Sequence, residues 1–224
     1  MPSGHLRIAL AALAVCSVVA VAAGPAQAIT TEEARALLDR AKGGDTGALE
    51  SLRQQGDQGD AVAQMAMALA YLAGVGVAKD EAEAVRWTQL AANQGLAPAE
   101  FYMALYYLTG RGVPKDDAEA ARWLQLAADQ GMAPAQNNLA VLYASGQGVP
   151  KDMAKAVALF RKAADQGFAD SQNNLGMLYA QGEGVKKSKK EALAWFEKAA
   201  AQGHPGAQKN IEELQQAKTT PPKK

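Results

Sequence analysis

The chain has 224 residues, 23 Lys and Arg balanced by 23 Asp and Glu, 49% hydrophobic and 6% aromatic residues, and 50 alanines. Zero net charge and an ordinary charged fraction exclude a wholly disordered chain and one drawn to nucleic acid by bulk positive charge. Abundant Ala with few aromatic residues favours closely packed helices over a pleated sheet.

Residues 1–28 are expected to be a signal peptide. Arg7 precedes a 16-residue apolar run, 8–23, which Gly24 and Pro25 break before Ala26-Gln27-Ala28. That run is shorter than the ~20 residues a spanning helix requires, and the small residues at 26 and 28 suit cleavage before Ile29. The expectation is export to the periplasm. Two alternatives stay open: extracellular release, and anchoring by an uncleaved segment. Leu13-Ala14-Val15-Cys16 has the outline of a lipid-attachment box, but Val15 is large for it and the apolar run continues past Cys16.

Cleavage would leave His204 and no thiol, because Cys16 and His5 both precede residue 29. Disulfides, zinc sites and cysteine nucleophiles are then unavailable, and Ser51, Ser145, Ser171 and Ser188 would share a single imidazole. No catalytic, cofactor-binding or metal-ligating residue is assigned, and no cofactor is expected.

The chain repeats itself every 36 residues, as Gly59, Gly95, Gly131, Gly167 and Gly203 mark. Tyr71, Tyr107, Tyr143 and Tyr179 keep the same beat, as do the glycine pairs 74/76, 110/112, 146/148 and 182/184. Trp87, Trp123, Leu159 and Trp195 share another slot. Each period predicts two helices. The first, 134–144 in one copy, carries Ala135, Leu139 and Tyr143 at four-residue steps and ends on a glycine suited to the left-handed conformation. Pro98, Pro134 and Pro205 are placed at first-helix starts. The second begins at Asp80, Asp116, Asp152 or Ser188, with Glu83, Glu119 and Glu191 completing capping boxes.

The pattern Ala-x-Ala-x-x-x-Leu-Gly-x-x-Tyr-x-x-Gly-x-Gly-Val, read over 169–185, and Ala-x-x-Leu-Phe-x-Lys-Ala-Ala-x-x-Gly, read over 156–167, resemble the Sel1-like repeat, a relative of the tetratricopeptide repeat. The resemblance implies an all-α, right-handed α-solenoid of helix-turn-helix units. The expected organisation is an N-terminal helical cap at 29–59, repeats at 60–95, 96–131, 132–167 and 168–203, a capping helix at 204–216 and a disordered tail at 217–224. Ala68, Ala104 and Ala140 stand where Gly176 matches the pattern, and Leu90 and Leu126 stand where Lys162 and Lys198 do. The two leucines are expected to cover the neighbouring unit. Capped ends predict a monomer.

Several conspicuous features have plain readings. The glycine pairs lack the Lys-Ser/Thr of a Walker loop and read as turns. The Trp slots read as packing between helices, and His204 as a surface residue. Lys186, Lys187, Lys189 and Lys190 read as a solvated loop and helix start. They do belong to a charge asymmetry: residues 29–149 hold nine basic and fifteen acidic residues, and 150–224 hold thirteen and eight.

By the same resemblance, non-core positions of the first helices face a ligand. The paired slots read Met65-Ala66, Phe101-Tyr102, Asn137-Asn138 and Asn173-Asn174. Phe101, Tyr102 and Tyr106 are expected to anchor an apolar side chain, and Asn137, Asn138, Asn173 and Asn174 to hold an extended peptide by its backbone, or else to bond between repeats. The function implied is a non-catalytic scaffold binding another protein or extended peptide, with no role in nucleic-acid binding. Secreted relatives of this type imply adaptor roles in envelope signalling or polysaccharide export. The rival is a cell-wall or β-lactam hydrolase of the type attributed to cysteine-rich relatives, whose disulfides this chain cannot form.

Overall fold

The computed structural model describes residues 28–216. The expected signal peptide up to residue 27, with Cys16 and His5, and the expected disordered tail lie outside the described residues. Among those described, eleven helices and no strand are present. They are α1 (Thr31–Lys42), α2 (Thr46–Asp57), α3 (Ala61–Ala73), α4 (Glu81–Ala92), α5 (Ala97–Thr109), α6 (Asp117–Asp129), α7 (Ala133–Ser145), α8 (Met153–Asp165), α9 (Ala169–Gln181), α10 (Lys189–Ala201) and α11 (Ala207–Gln216). The chain divides after Ala127 into two compact units, each with its own core. The fold is an all-α helical repeat.

Helix starts follow the local chemistry, with one systematic departure. Thr30 makes the full capping box of α1, accepting from the Glu33 N–H while Glu33 accepts from the Thr30 N–H. Asp80 and Asp116 cap α4 and α6, but Glu83 and Glu119 do not complete the boxes expected of them. They turn instead to Arg86 and Arg122, three residues on, whose guanidinium groups also lie 4.4 and 4.3 Å from the Trp87 and Trp123 rings. A forked cation held over a ring outcompetes a single backbone N–H. Ser188 likewise caps α10 by accepting from Glu191, without the reciprocal bond. Pro98 and Pro134 occupy the first turns of α5 and α7, whereas Pro205 falls in the turn before α11, which begins at Ala207.

The loop joining the two helices of a repeat is closed in the same way each time. Gly74, Gly110, Gly146 and Gly182 take positive φ, and the N–H of Asp80, Asp116, Asp152 or Ser188 donates to the carbonyl of Tyr71, Tyr107, Tyr143 or Tyr179. A left-handed residue is needed for the chain to reverse there, so glycine fills the slot.

A buried glutamine fastens three of the four repeat first helices, α3, α7 and α9, to their neighbours; α5 carries the buried Glu100 in that slot. In the first unit Gln64 donates to the Gly56 carbonyl at the end of α2, 3.0 Å away, and accepts from Gln94 at the end of α4. In the second unit Gln136 and Gln172 donate to the carbonyls of Ala128 and Ala164 and accept from Gln166 and Gln202. Both ends of each carboxamide are satisfied, so burial adds no orphaned polar group.

Trp87 and Trp123 are buried as expected, but Leu159 and Trp195 in the same slot are only half-buried. In the second unit one core cluster joins Ala140, Ala156, Phe160, Leu175 and Leu178, and another joins Ala192 and Phe196 to Ile211 of α11. Leu90 and Leu126 are each 39% exposed, so they do not provide the cover expected of them.

Two substitutions test this packing. A Cβ at Gly176 would lie 2.6 Å from Phe196 ring carbons, so Gly176→Val should cost roughly 2–3 kcal/mol and lower the thermal midpoint by several degrees. Gln172→Leu breaks two bonds and leaves the Gln202 carboxamide without its acceptor, and denaturant titration should register a loss of about 1–3 kcal/mol.

Candidate partner-binding face

The second unit places the asparagine pairs where the first helices meet. Asn137 is buried, and its Oδ1 accepts from Ser171 Oγ at 2.9 Å and from Asn174 Nδ2 at 3.1 Å. Its Nδ2 donates to Asn138 Oδ1. Asn173 is equally buried, and its Oδ1 accepts from Asn210 Nδ2 at 2.8 Å. The inner member of each pair therefore bonds α7 to α9 and α9 to α11. Asn138 and Asn174, the outer members, are half-buried with part of each carboxamide unbonded among the described residues.

This geometry corrects the expectation that the paired slots lie outside the core. Asn137 and Asn173 are 7% exposed and committed between repeats. In the first unit Phe101 and Tyr102 are likewise 7% exposed, with their rings edge-on at 6.2 Å and 84°, and Tyr106 is 4% exposed. Met65 and Ala66 of α3 are fully buried in the same slots. The first helix of each repeat has neighbours on more sides than a surface helix does, which leaves only a narrow strip uncovered. Burial pushes the Tyr102 phenol well above its ordinary value, and the Tyr106 phenol rises for the same main reason, with the Thr88 hydroxyl opposing. Phe101, Tyr102 and Tyr106 thus form an aromatic cluster on α5 rather than an open anchor.

The uncovered strip of the second unit has other members. Val141 is 44% and Met177 36% exposed, each one helical turn beyond Asn138 or Asn174. Asn210 extends the asparagine row, 36 residues after Asn174. Sequence reading missed all three. Asn210 is legible from the period, but a capping role for 204–216 assigns it no contact. Val141 and Met177 share their slot with Leu69, which is buried, so their apolar character gave no sign of exposure. The strip offers two apolar contacts beside a row of carboxamides, a combination suited to polypeptide.

Among the described residues no group of three His, Cys, Asp or Glu side chains is placed to hold a metal ion. His204 lies 3.4 Å from Asp170, in a turn that its Nδ1 helps close by accepting from the Gly206 N–H.

Removing the inner asparagine should act on stability. Asn137→Leu leaves the Ser171 hydroxyl buried without its acceptor, and a loss of about 1–3 kcal/mol is expected in chemical unfolding. The tyrosines give a pH signature. Their folded-state pKa exceeds the ordinary value of 10, so the unfolded state loses protons first and stability falls as pH rises through and above 10. Phenolate absorbance should accordingly rise in two phases, the later one coinciding with unfolding and shrinking in Tyr102→Phe.

The Sel1 repeat model matches four times in succession, at residues 61–96, 97–132, 133–168 and 169–204. Among solved structures, the protective antigen c5321 of uropathogenic Escherichia coli, described as displaying an SLR fold, is 34% identical, with a TM-score of 0.75 over 81% of this chain and 41% of that one. The present chain thus spans less than half the length of that antigen. A Sel1 repeat protein from Oxalobacter formigenes is 30% identical, with a TM-score of 0.72 over 80% of this chain and 73% of that one. The immunity protein Pa5087 of Pseudomonas aeruginosa, 21% identical with a TM-score of 0.51 over 82% and 78% of the two chains, shares the fold. No curated protein matches. With a repeat model covering most of the described helices and two relatives at this identity, the chain belongs to the Sel1 repeat family.

Proposed function

We propose that this protein is a non-catalytic scaffold that binds another protein, or an extended segment of one, along the exposed strip of α7, α9 and α11. Sel1 repeat proteins commonly mediate protein–protein interaction. The observation that carries the reading here is the row Asn138, Asn174 and Asn210 beside the exposed Val141 and Met177. An extended backbone presents alternating N–H and C=O groups, and a carboxamide offers a donor or an acceptor to either. The two apolar side chains would supply desolvated contact at the centre of such a site.

We place the scaffold outside the cytoplasm, acting in the periplasm on an envelope signalling or polysaccharide export partner. The support is the charged start, the 16-residue apolar run and the small-residue cleavage site before Ile29. Among the described residues no helix is long and apolar enough to cross a membrane. Anchoring through an uncleaved first segment is the second reading, and cell fractionation with N-terminal sequencing separates the two.

In-cell photocrosslinking tests the binding face. A probe at Met177 should give a discrete adduct, while one at Glu197, exposed on the second helix α10, should not. The double variant V141E/M177E should abolish the adduct of a probe at Asn174 and leave the thermal midpoint nearly unchanged, since both side chains are already largely in solvent. Adducts from Glu197 alone would assign binding to the opposite helices.

A further inference from the structure

The loop before each second helix carries a lysine at the same position, and the structure shows what becomes of its charge. In the first unit Lys79 pairs with Glu81 and Lys115 with Asp117, both at 3.5 Å. In the second unit the acid two residues on is replaced, by Met153 after Lys151 and by Lys189 after Lys187. Neither Lys151 nor Lys187 has an ion pair among the described residues, and the same holds for Lys186, Lys189 and Lys190. Lys151, Lys186, Lys187 and Lys190 are exposed, whereas Lys189 is half-buried and donates to the Leu214 carbonyl near the end of α11.

These cations share one edge. The α9–α10 loop lies against the first turn of α8: a Cβ on Gly184 would stand 3.1 Å from the Met153 carbonyl oxygen and 3.2 Å from the Met153 Cβ. Lys151 just precedes that turn, and Lys186 and Lys187 follow Gly184. The opening of α10 also runs against its own electrostatics. The first turn of α4 holds Glu81 and Glu83 and that of α6 holds Asp117 and Glu119, as a helix N-terminus favours, but α10 sets Lys189-Lys190 ahead of its single first-turn acid, Glu191. Asp152 beside Lys151, and Glu183 and Glu191 beside the other lysines, are the acids nearest in sequence; Asp152 pairs with Lys155 instead, and neither glutamate pairs with these lysines.

We infer that this lysine edge of the second unit, Lys151 with Lys186, Lys187 and Lys190, docks an acidic polypeptide segment of a partner. Charge complementarity sets the sign of the ligand, and the inference rests on the scaffold reading for its being a protein. Three features favour acidic polypeptide over other polyanions. The edge uses lysine throughout, a point charge without the guanidinium fork that grips phosphate in two places. Segments 146–155 and 182–190 contain no aromatic residue on which a base could stack. The exposed large apolar side chains among the described residues are Leu90, Leu126, Val141 and Met177, none in those segments, so the edge lacks an apolar wedge for a bilayer.

The test is fluorescence anisotropy of a labelled oligoglutamate peptide with the full chain, at low and at moderate salt. Anionic phosphatidylglycerol vesicles and single-stranded DNA are measured alongside. The peptide should bind with a salt-sensitive affinity that falls about tenfold or more in K187E/K190E. That variant should unfold at the same or a higher temperature, because a carboxylate replaces a cation in the first turn of α10. K187Q/K190Q should give a smaller loss in the same direction. Absence of peptide binding, indifference to both lysine variants, or binding of vesicles or DNA in preference to the peptide would each overturn the inference. Crosslinking at Met177 is read on a different surface, so its success or failure judges the scaffold reading separately.

Discussion

The buried glutamine at the base of three of the four repeat first helices, with Glu100 in the same slot of α5, is the constraint on which the repeat depends. Gln64, Gln136 and Gln172 sit where three helices converge: their own, the one before and the one after. A carboxamide has a donor end and an acceptor end, and each glutamine uses one on the preceding helix and the other on the following one. A side chain with only one of these capacities would leave a buried polar group unmatched, at a cost comparable to the bond itself. The glutamines at 94, 166 and 202, each preceding a period glycine, are the other half of the same device. An inserted residue between the two would misalign donor and acceptor.

A second polar layer, made by asparagine, operates only within the second unit. Asn137 and Asn173 link successive first helices as the glutamines link first helices to second ones. The equivalent positions of the first unit hold Phe101 and Met65, both buried. One repeat scaffold thus accepts an apolar or a polar inter-repeat layer in the same slot, provided the polar one is satisfied. The difference has a surface consequence, because the polar layer brings the outer asparagines and the apolar pair Val141 and Met177 to the solvent strip together.

In the proposed reading the two surfaces of the second unit divide recognition between them. The strip of α7, α9 and α11 offers desolvation and backbone hydrogen bonding, which give affinity and register. The lysine edge offers long-range attraction, which raises the rate of encounter and orients the approach. The slot two residues after each lysine holds the pairing acid in the first unit and Met153 or Lys189 in the second, where Met153 packs against the core cluster and Lys189 bonds the Leu214 carbonyl.

The sequence by itself determined the period, the helix pair within it, the glycine that closes each turn and the caps, because all of these are local. Each depends on a backbone conformation or on a side chain reaching its own helix end a few residues away. The family resemblance and the all-α class followed from that regularity. Tertiary structure alone decided exposure. Asn137 and Asn138 are chemically identical neighbours, yet one is consumed between helices and the other faces outward. Leu69 and Met177 occupy one slot, yet only Met177 reaches solvent. In each case the outcome turned on what the surrounding helices and side chains placed beside the residue, and a periodicity that repeats every 36 positions records the slot but not its neighbours.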